Sequence, residues 1–250
     1  MTDFGMRWVA GLVVLAAVTG CGSSAKPQPP VATARPQAQA QAKPQSAAEL
    51  RAHLLPAVMP DGWHSVADPQ GHDAKGASGA SATPAACTEL LDGQTVVDAA
   101  TKGSSALATA MFSGGHTAGG GVNGGLETLY SFAGDGAHRA MQDMRTLVAR
   151  CRKVELPHAS WEPADTAGFV VAEGPRLGDE SLVVQGTVTE AATGYVERAD
   201  ATVVRVGSSL VVISTVFSLT QQEVDAVMAF TPAAVAQVES NHPEPVDAAS

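Results

Sequence analysis

The chain has 250 residues, of which 16% are charged and 4% aromatic, and its formal net charge is −10. An acidic chain repels nucleic acid, whose binding depends on Lys and Arg side chains that neutralise phosphates, so we expect no nucleic-acid partner. The lack of a basic patch also excludes electrostatic attachment to anionic lipid headgroups.

The N-terminus has the organisation of an export signal. The apolar run at 8–18 is too short for a membrane-spanning helix of about 20 residues, and it matches the apolar region of a signal peptide. It leads into VTGC at 18–21, the pattern of a bacterial lipobox, in which the cysteine is linked to diacylglycerol and becomes the first residue after cleavage. We therefore predict a lipoprotein signal peptide at 1–20 and lipidation, with palmitate among the acyl chains, at Cys21. The alternative is an ordinary secretory signal in which this cysteine is incidental.

Such an anchor places the rest of the chain at the extracytoplasmic face of the cell membrane, because two or three acyl chains hold a protein stably on a bilayer. Residues 21–45 comprise the lipidated Cys21 and a tether rich in Pro, Ala and Gln, with few side chains that can build a core. Its predicted role is to hold the folded domain clear of the membrane. At the other end, 241–250 is predicted to be a disordered tail.

Cysteine usage fits an oxidising compartment. Of the three cysteines, the lipid takes Cys21, which leaves Cys87 and Cys151 to form a disulfide. A bridge that closes a loop of about 65 residues contributes on the order of 4 kcal/mol in the chain-entropy model. Two separate buried thiols are the alternative. A metal site has less support, since neither cysteine lies in a CxxC motif or has a histidine at ligand spacing, and we expect no cofactor.

The folded domain is predicted to span 46–240. The sequence SAAE at 46–49 matches a capping box and starts a short helix whose apolar face holds Leu50, Leu54 and Leu55. The low-complexity stretch that follows, at 68–86, is predicted to be a loop.

Hydrophobic periodicity predicts the elements downstream. A helix-period stripe over 137–153 is the clearest of them, and its basic C-terminal residues complement the helix dipole. The run at 210–217 is apolar on both faces and predicts a central strand, which a tight turn at Gly207 joins to a strand at 196–206. The other predictions are strands at 106–113, 126–133, 168–172 and 181–189, and helices at 87–100 and 220–239, the latter broken at Thr231-Pro232. Together they predict a single α+β domain, a mostly antiparallel sheet flanked by helices.

Several segments resemble the extracellular sensor domain of mycobacterial PknH-type receptor kinases, a domain that also occurs alone on actinobacterial lipoproteins. They are LRAHLLPAVMPDGW at 50–63, the cysteine before a helix at Cys87, RTLVARC at 145–151, LGDES at 177–181 and VVRVGSSLVVISTV at 203–216. The resemblance covers roughly residues 47–240 and implies a mixed α+β sandwich with a cleft for an unidentified envelope ligand. The receptor form carries two disulfides, whereas this chain can form only one, and it has no kinase domain.

The sequence contains no recognisable catalytic constellation. The histidines show no metal-ligand spacing and are interpreted as solvated, and the glycine-rich segment at 119–125 is interpreted as a hairpin loop rather than a phosphate loop. The acidic pair Asp179-Glu180 has two interpretations: a turn before a strand, or paired carboxylates for acid–base chemistry or calcium. The few Trp and Tyr side chains are predicted to be core anchors, with a sugar-stacking platform as the alternative: Trp63, Tyr130, Trp161 and Tyr195.

These observations predict a membrane-anchored, non-enzymatic sensor or ligand-binding module in the cell envelope. Its partners are the membrane, through the lipid anchor, and an unknown envelope ligand or protein. The alternative is an envelope lipid or glycan carrier, which predicts a large apolar cavity. An enzyme that acts on the cell wall is a third hypothesis, supported only by Asp179-Glu180.

Overall fold

The computed structural model describes residues 43–68, 72–73, 86–114, 123–156, 164–215 and 221–240. All of these residues belong to one compact unit, Gln39–Ser250. The predicted signal peptide, Cys21, most of the tether, Trp161 and the predicted tail lie outside the described residues.

In these ranges nine strands form one sheet, and every pairing in it is antiparallel. The strands are β1 (His64–Ala67), β2 (His72–Asp73), β3 (Ala106–Gly114), β4 (Asn123–Ser131), β5 (Lys153–Glu155), β6 (Thr166–Glu173), β7 (Glu180–Thr189), β8 (Val196–Val206) and β9 (Ser209–Thr215). Their order across the sheet is β1-β3-β4-β9-β8-β7-β6-β5, and β2 also pairs with β3. The last strand in the sequence therefore lies in the middle of the sheet, between β4 and β8.

The central position of β9 follows from its sequence. Every residue of β9 is buried, with Leu210 and Val212 packed on one face of the sheet and Val211 and Ile213 on the other. Successive side chains of a strand point to opposite faces, so a continuous apolar run is stable only where both faces are covered. The predicted tight turn before β9 is also present, since Gly207 has a φ of 58°.

Helices pack on both faces of the sheet: α1 (Ala47–Arg51), α2 (Gly93–Ala100), α3 (Gly136–Arg150), α4 (Gln221–Met228) and α5 (Thr231–Glu239). We call the side covered by α2 and α3 the first face, and the side covered by α1, α4 and α5 the second face. The predicted antiparallel sheet is thus present in a single domain. Strands dominate the structure, so it is less evenly divided between helix and sheet than the predicted α+β class implies.

The capping box predicted at 46–49 is present at the start of α1. The Ser46 side chain accepts a hydrogen bond from the Glu49 N–H, and the Glu49 carboxylate accepts one from the Ser46 N–H. This capping box satisfies two N–H groups that have no partner inside the helix. The helix ends at Arg51, so Leu54 and Leu55 reach the core from the segment after it.

The helix predicted at 87–100 is wrong in its first half. Cys87–Glu89 is a single 3-10 turn, and the α-helix begins at Gly93, where the Asp92 side chain accepts a hydrogen bond from the Thr95 N–H at 2.7 Å. The start of α2 lies directly against β7: a Cβ added to Gly186 would be 2.7 Å from the Gly93 nitrogen. The helix therefore begins where glycine on both sides allows the two backbones to touch.

The other predicted elements shift by a few residues. β4 begins at Asn123, earlier than predicted, and α3 ends at Arg150 because the chain turns there into the short strand β5, which the sequence did not reveal. The break at Thr231-Pro232 is confirmed, since α5 begins at Thr231 with proline in its first turn. Strand β1 and the two-residue β2 were also not predicted, and β2 falls within the stretch predicted to be a loop.

Candidate functional site

A disulfide joins Cys87 and Cys151, whose Cα atoms are 5.4 Å apart and whose sequence separation is 64 residues. The pairing predicted from the cysteine count is therefore present. The bridge ties the turn before α2 to the residue that follows α3, and Cys151 is 1% exposed in the core of the first face. It fastens the two helices of that face to one another covalently.

The LGDES segment places Asp179 at the hairpin between β8 and β9. Its Oδ2 accepts hydrogen bonds from the Gly207 N–H at 2.8 Å and from Arg205 Nη1 at 2.9 Å. Gly178 has a φ of 56°, and a Cβ there would be 2.4 Å from the Arg205 carbonyl oxygen. The segment thus forms a close turn against β8, as one of the two interpretations of the acidic pair predicts.

Glu180 bridges the sheet and α3. Its Oε1 lies 2.6 Å from Arg145 Nη1, and its Oε2 lies 3.2 Å from His138 Nδ1 and 3.5 Å from Arg205 Nε. Burial raises the pKa of Glu180, but the hydrogen bonds and charges of Arg145 and His138 outweigh it, so the pKa lies below its ordinary value. The carboxylate is therefore held ionised between cations.

This ion-pair network favours a structural role for Asp179 and Glu180. Both carboxylates are paired with cationic side chains, and such partly exposed pairs contribute about 0–1 kcal/mol each. Within the described ranges no three His, Cys, Asp or Glu side chains are grouped so that they could hold a metal ion. The arrangement connects α3, β7 and β8 at the ends of the strands.

The histidines do not all lie in solvent. His53 is 8% exposed, and its Nε2 lies 3.3 Å from Gln45 Nε2, so the interpretation as a solvated side chain is wrong for this residue. His138 is half exposed but belongs to the Glu180 network. The sequence did not distinguish the role of His138, because Glu180 lies 42 positions away in the chain.

The three Trp and Tyr residues that the structure describes do not come together. Trp63 is buried on the second face, where its ring centroid lies 4.9 Å from that of Phe230 and 5.8 Å from that of Phe112. Tyr130 is buried on the first face and donates a hydrogen bond to Asp98 at 2.9 Å, whereas Tyr195 is 55% exposed before β8. Among the described residues, therefore, the alternative of a sugar-stacking platform is wrong.

The glycine-rich segment lies between β3 and β4, which pair with one another from Ala106↔Ser131 to Gly114↔Asn123. A phosphate loop needs a helix N-terminus after it, and here a strand follows. The hairpin interpretation is therefore correct at both ends of the segment, and residues 115–122 lie outside the described ranges.

One buried ion pair was not predicted from the sequence. Asp200 is 3% exposed on β8, and both of its carboxylate oxygens lie 3.0 Å from Arg198 Nε. Arg198 also donates a hydrogen bond to Gln221 at the start of α4, and the hydrogen bonds that it donates to Asp200 raise the pKa of the guanidinium. The only signal in the sequence is two charged side chains spaced two apart in a strand, which places them on one face.

A buried carboxyl group was missed as well. Glu127 is 0% exposed on β4, one of its oxygens accepts a hydrogen bond from the Leu55 N–H at 2.8 Å, and its other oxygen has no hydrogen-bond partner among the described residues. Burial, opposed only by that hydrogen bond, raises the pKa of Glu127 to about 7. In the sequence, the residue reads as a solvent-facing position of an amphipathic strand.

No helix in the described ranges is both long and apolar enough to cross a membrane. No family model matches the sequence, and no curated protein matches it. Among solved structures, the chain is similar to the extracellular domain of PknH from Mycobacterium tuberculosis, with 13% sequence identity and a TM-score of 0.36. The alignment covers 58% of this chain and 69% of that chain. A similarity of this size transfers neither a ligand nor a residue's role to this chain.

Proposed function

We propose that this chain is a lipid-anchored protein of the extracytoplasmic membrane face, and that its folded domain binds an envelope ligand or partner and catalyses no reaction. The observation that carries the proposal is the Cys87–Cys151 bridge. Disulfides persist in oxidising compartments, and this one uses two of three cysteines and leaves Cys21 directly after the apolar leader. An export signal, a lipid anchor and a disulfide in the folded domain all require the same compartment.

The absence of an enzymatic role is part of the proposal and is supported by the charged groups of the network. Asp179 and Glu180, the only residues that favoured an enzyme, are engaged by Arg205 and Arg145 respectively. A general base must be within hydrogen-bond reach of substrate and needs a pKa near the working pH. The lowered pKa of Glu180 makes it a weak base, which favours a structural role in which it holds α3 against the sheet.

Metabolic labelling tests the anchor. Expressed in an actinobacterium with labelled palmitate, the wild-type chain should incorporate the label and partition into the detergent-rich phase of Triton X-114. Cys21→Ser should do neither. Cys87→Ser is the matched control, because it also removes a cysteine but should keep the label. An unlabelled wild-type chain in the aqueous phase would contradict the anchor.

Native mass spectrometry tests the binding role. The chain is incubated with envelope extract from an actinobacterium and compared with Cys21→Ser, which lacks the acyl chains. A discrete bound mass supports a binding module, and its value separates a lipid or glycan carrier from a small-molecule sensor. An unchanged mass at every extract concentration rules out a small ligand and leaves a protein as the partner, for which crosslinking on cells is the readout.

A further inference from the structure

Glu127 occupies an unusual place for a carboxyl group. It lies in the middle of β4 on the second face, where its neighbours across the sheet are Ala110 of β3 and Ile213 of β9. Both neighbours are fully buried, as is Glu127 itself. An isolated buried carboxylate is costly because it loses its hydration, so this position favours the protonated, neutral group.

The hydrogen bond from the Leu55 N–H connects this carboxyl group to the start of the folded domain. Residues 46–59, which we call the clasp, comprise α1 and the segment after it. The clasp packs against β3 and β4, and it inserts Leu50, Leu54 and Leu55 into the core of the second face. Glu127 is therefore a polar contact of the clasp within an apolar interface.

No charged group on the surrounding elements stabilises the ionised form of Glu127. The clasp carries Glu49, Arg51 and His53, and α4 carries Glu223 and Asp225, while β3 and β9 have no titratable residue. Glu49 is engaged by Ser46 in the capping box. The pKa of Glu127 is set by its burial and, in the opposite direction, by the Leu55 N–H, and no charge on these elements contributes to it.

We propose that Glu127 and the clasp form a pH-dependent latch: protonated Glu127 holds the clasp on the sheet, and loss of the proton releases it. When the clasp lifts, water reaches the carboxyl group, which then ionises at its ordinary pKa. The open state therefore binds fewer protons than the closed state between the two pKa values, the ordinary 4.5 and about 7. By linkage, the population of the open state rises with pH across this interval and becomes constant above it.

Opening of the latch would lengthen the tether between the folded domain and the predicted lipid anchor. The clasp is the first folded segment after the predicted tether, so its release would add the residues from 46 to 59 to the tether. Fully extended, they span roughly 45 Å at about 3.3 Å per residue. An acidic envelope would keep the domain close to the membrane, and a neutral one would extend its reach. The latch itself does not depend on the proposed function, whereas its effect on the distance from the membrane rests on the proposed lipid anchor.

Hydrogen exchange measured by mass spectrometry on the full chain tests the latch, with exchange times scaled for the intrinsic pH dependence of amide exchange. We expect protection of the amides at 50–59 to fall roughly 50-fold between pH 5 and pH 8 in the wild type, with most of the change below pH 7. Protection in β7 and β8 should stay constant.

Glu127→Gln is the matched variant, because its carbonyl oxygen accepts the Leu55 N–H but the side chain cannot titrate. We expect the 50–59 amides of this variant to have the same protection at pH 5 and pH 8. Equal pH profiles in the variant and the wild type would overturn the proposal. Should the variant fail to fold, the carboxyl carbon of Glu127 can be titrated by NMR in the wild type, and a midpoint at or below pH 4.5 would also overturn it.

Discussion

The cores on the two faces of the sheet are held together by different interactions. The core of the first face holds Met141 and Met144 from α3 beside three aromatic side chains (Tyr130, Phe132 and Phe169), and the Cys87–Cys151 bridge closes it covalently. The second face has a cluster of aromatic rings in tilted and edge-to-face contact, a glycine (Gly125) packed against one of those rings and the buried carboxyl group of Glu127, and no disulfide lies in its described part. Its helices are short, and α1 covers it by way of a segment that is not helical.

The stability of each face therefore responds to a different condition. The first face depends on the redox state, since its two helices are fastened by a bond that a reductant breaks. The second face depends on the protonation of one side chain and on close packing. The two layers share β4, β8 and β9, whose residues alternate between the cores. Perturbations of one layer should therefore reach the other through these strands.

The largest expected effect comes from the bridge of the first face. Cys87→Ala combined with Cys151→Ala should lower the free energy of unfolding by about 4 kcal/mol, because the unfolded chain regains the entropy of a loop of about 65 residues. Urea unfolding at pH 6 measures it. Wild type unfolded in reductant is the control and should lose a similar amount; a difference below about 1 kcal/mol in both would show that the bridge does not stabilise the fold.

The second largest effect is the pH dependence of the unfolding free energy, which comes from Glu127 on the second face. The folded state keeps a proton on Glu127 up to about pH 7, while the unfolded chain loses it near 4.5. The contribution of Glu127 to stability is therefore greatest below pH 4.5 and is lost as the pH rises to 7. Between pH 5 and pH 8 this group should cost roughly 2–3 kcal/mol of unfolding free energy, and Glu127→Gln should lack that decrease. If urea midpoints of wild type and variant shift in parallel with pH, Glu127 is not the group responsible.

A smaller effect tests the close packing of the second face. Gly125→Ala puts a Cβ 2.4 Å from the Phe112 ring and 2.7 Å from Val227, and such overpacking costs about 1–3 kcal/mol. Gly103→Ala is the matched control, since a Cβ there meets nothing within 4 Å. Thermal unfolding should separate the two variants by several degrees. Equal melting temperatures would mean that the aromatic cluster yields to the added methyl group.

The smallest effect concerns the ion-pair network. Glu180→Gln should lower the free energy of unfolding by less than about 1 kcal/mol, and the loss should shrink further in 1 M salt, where charges are screened. Asp143→Asn, also on the surface, is the control. Calcium added to the wild type should leave the melting temperature unchanged; a calcium-dependent increase that is absent from Glu180→Gln would assign a ligand role to the acidic pair.

Much of the fold was accessible from local patterns. The capping box at Ser46, the stripe of α3, the full extent of β8 and the break at Thr231 each rest on a few neighbouring residues. The start of α2 was not accessible in this way, because it depends on contact between Gly93 and Gly186, which are far apart in sequence. Short strands such as β1 and β5 carry too few residues for a periodic signal.

The same distinction between local patterns and distant contacts applies to the candidate sites. Counting cysteines was sufficient to pair Cys87 with Cys151, since one partner remained for each. No count could show that Asp179 and Glu180 are neutralised, because Arg205 and Arg145 approach them from β8 and α3.

Composition and residues adjacent in the chain were enough to predict the disulfide partners, the central strand β9 and the capping box of α1. The separation of the helices onto two faces and the burial of Glu127 beneath the clasp arise from contacts between distant parts of the folded chain. In a strand whose apolar and polar residues alternate, a charged residue is predicted to face solvent. The burial of Glu127, and hence its pKa of about 7, depends on the clasp, whose Leu55 lies more than 70 positions away in the chain.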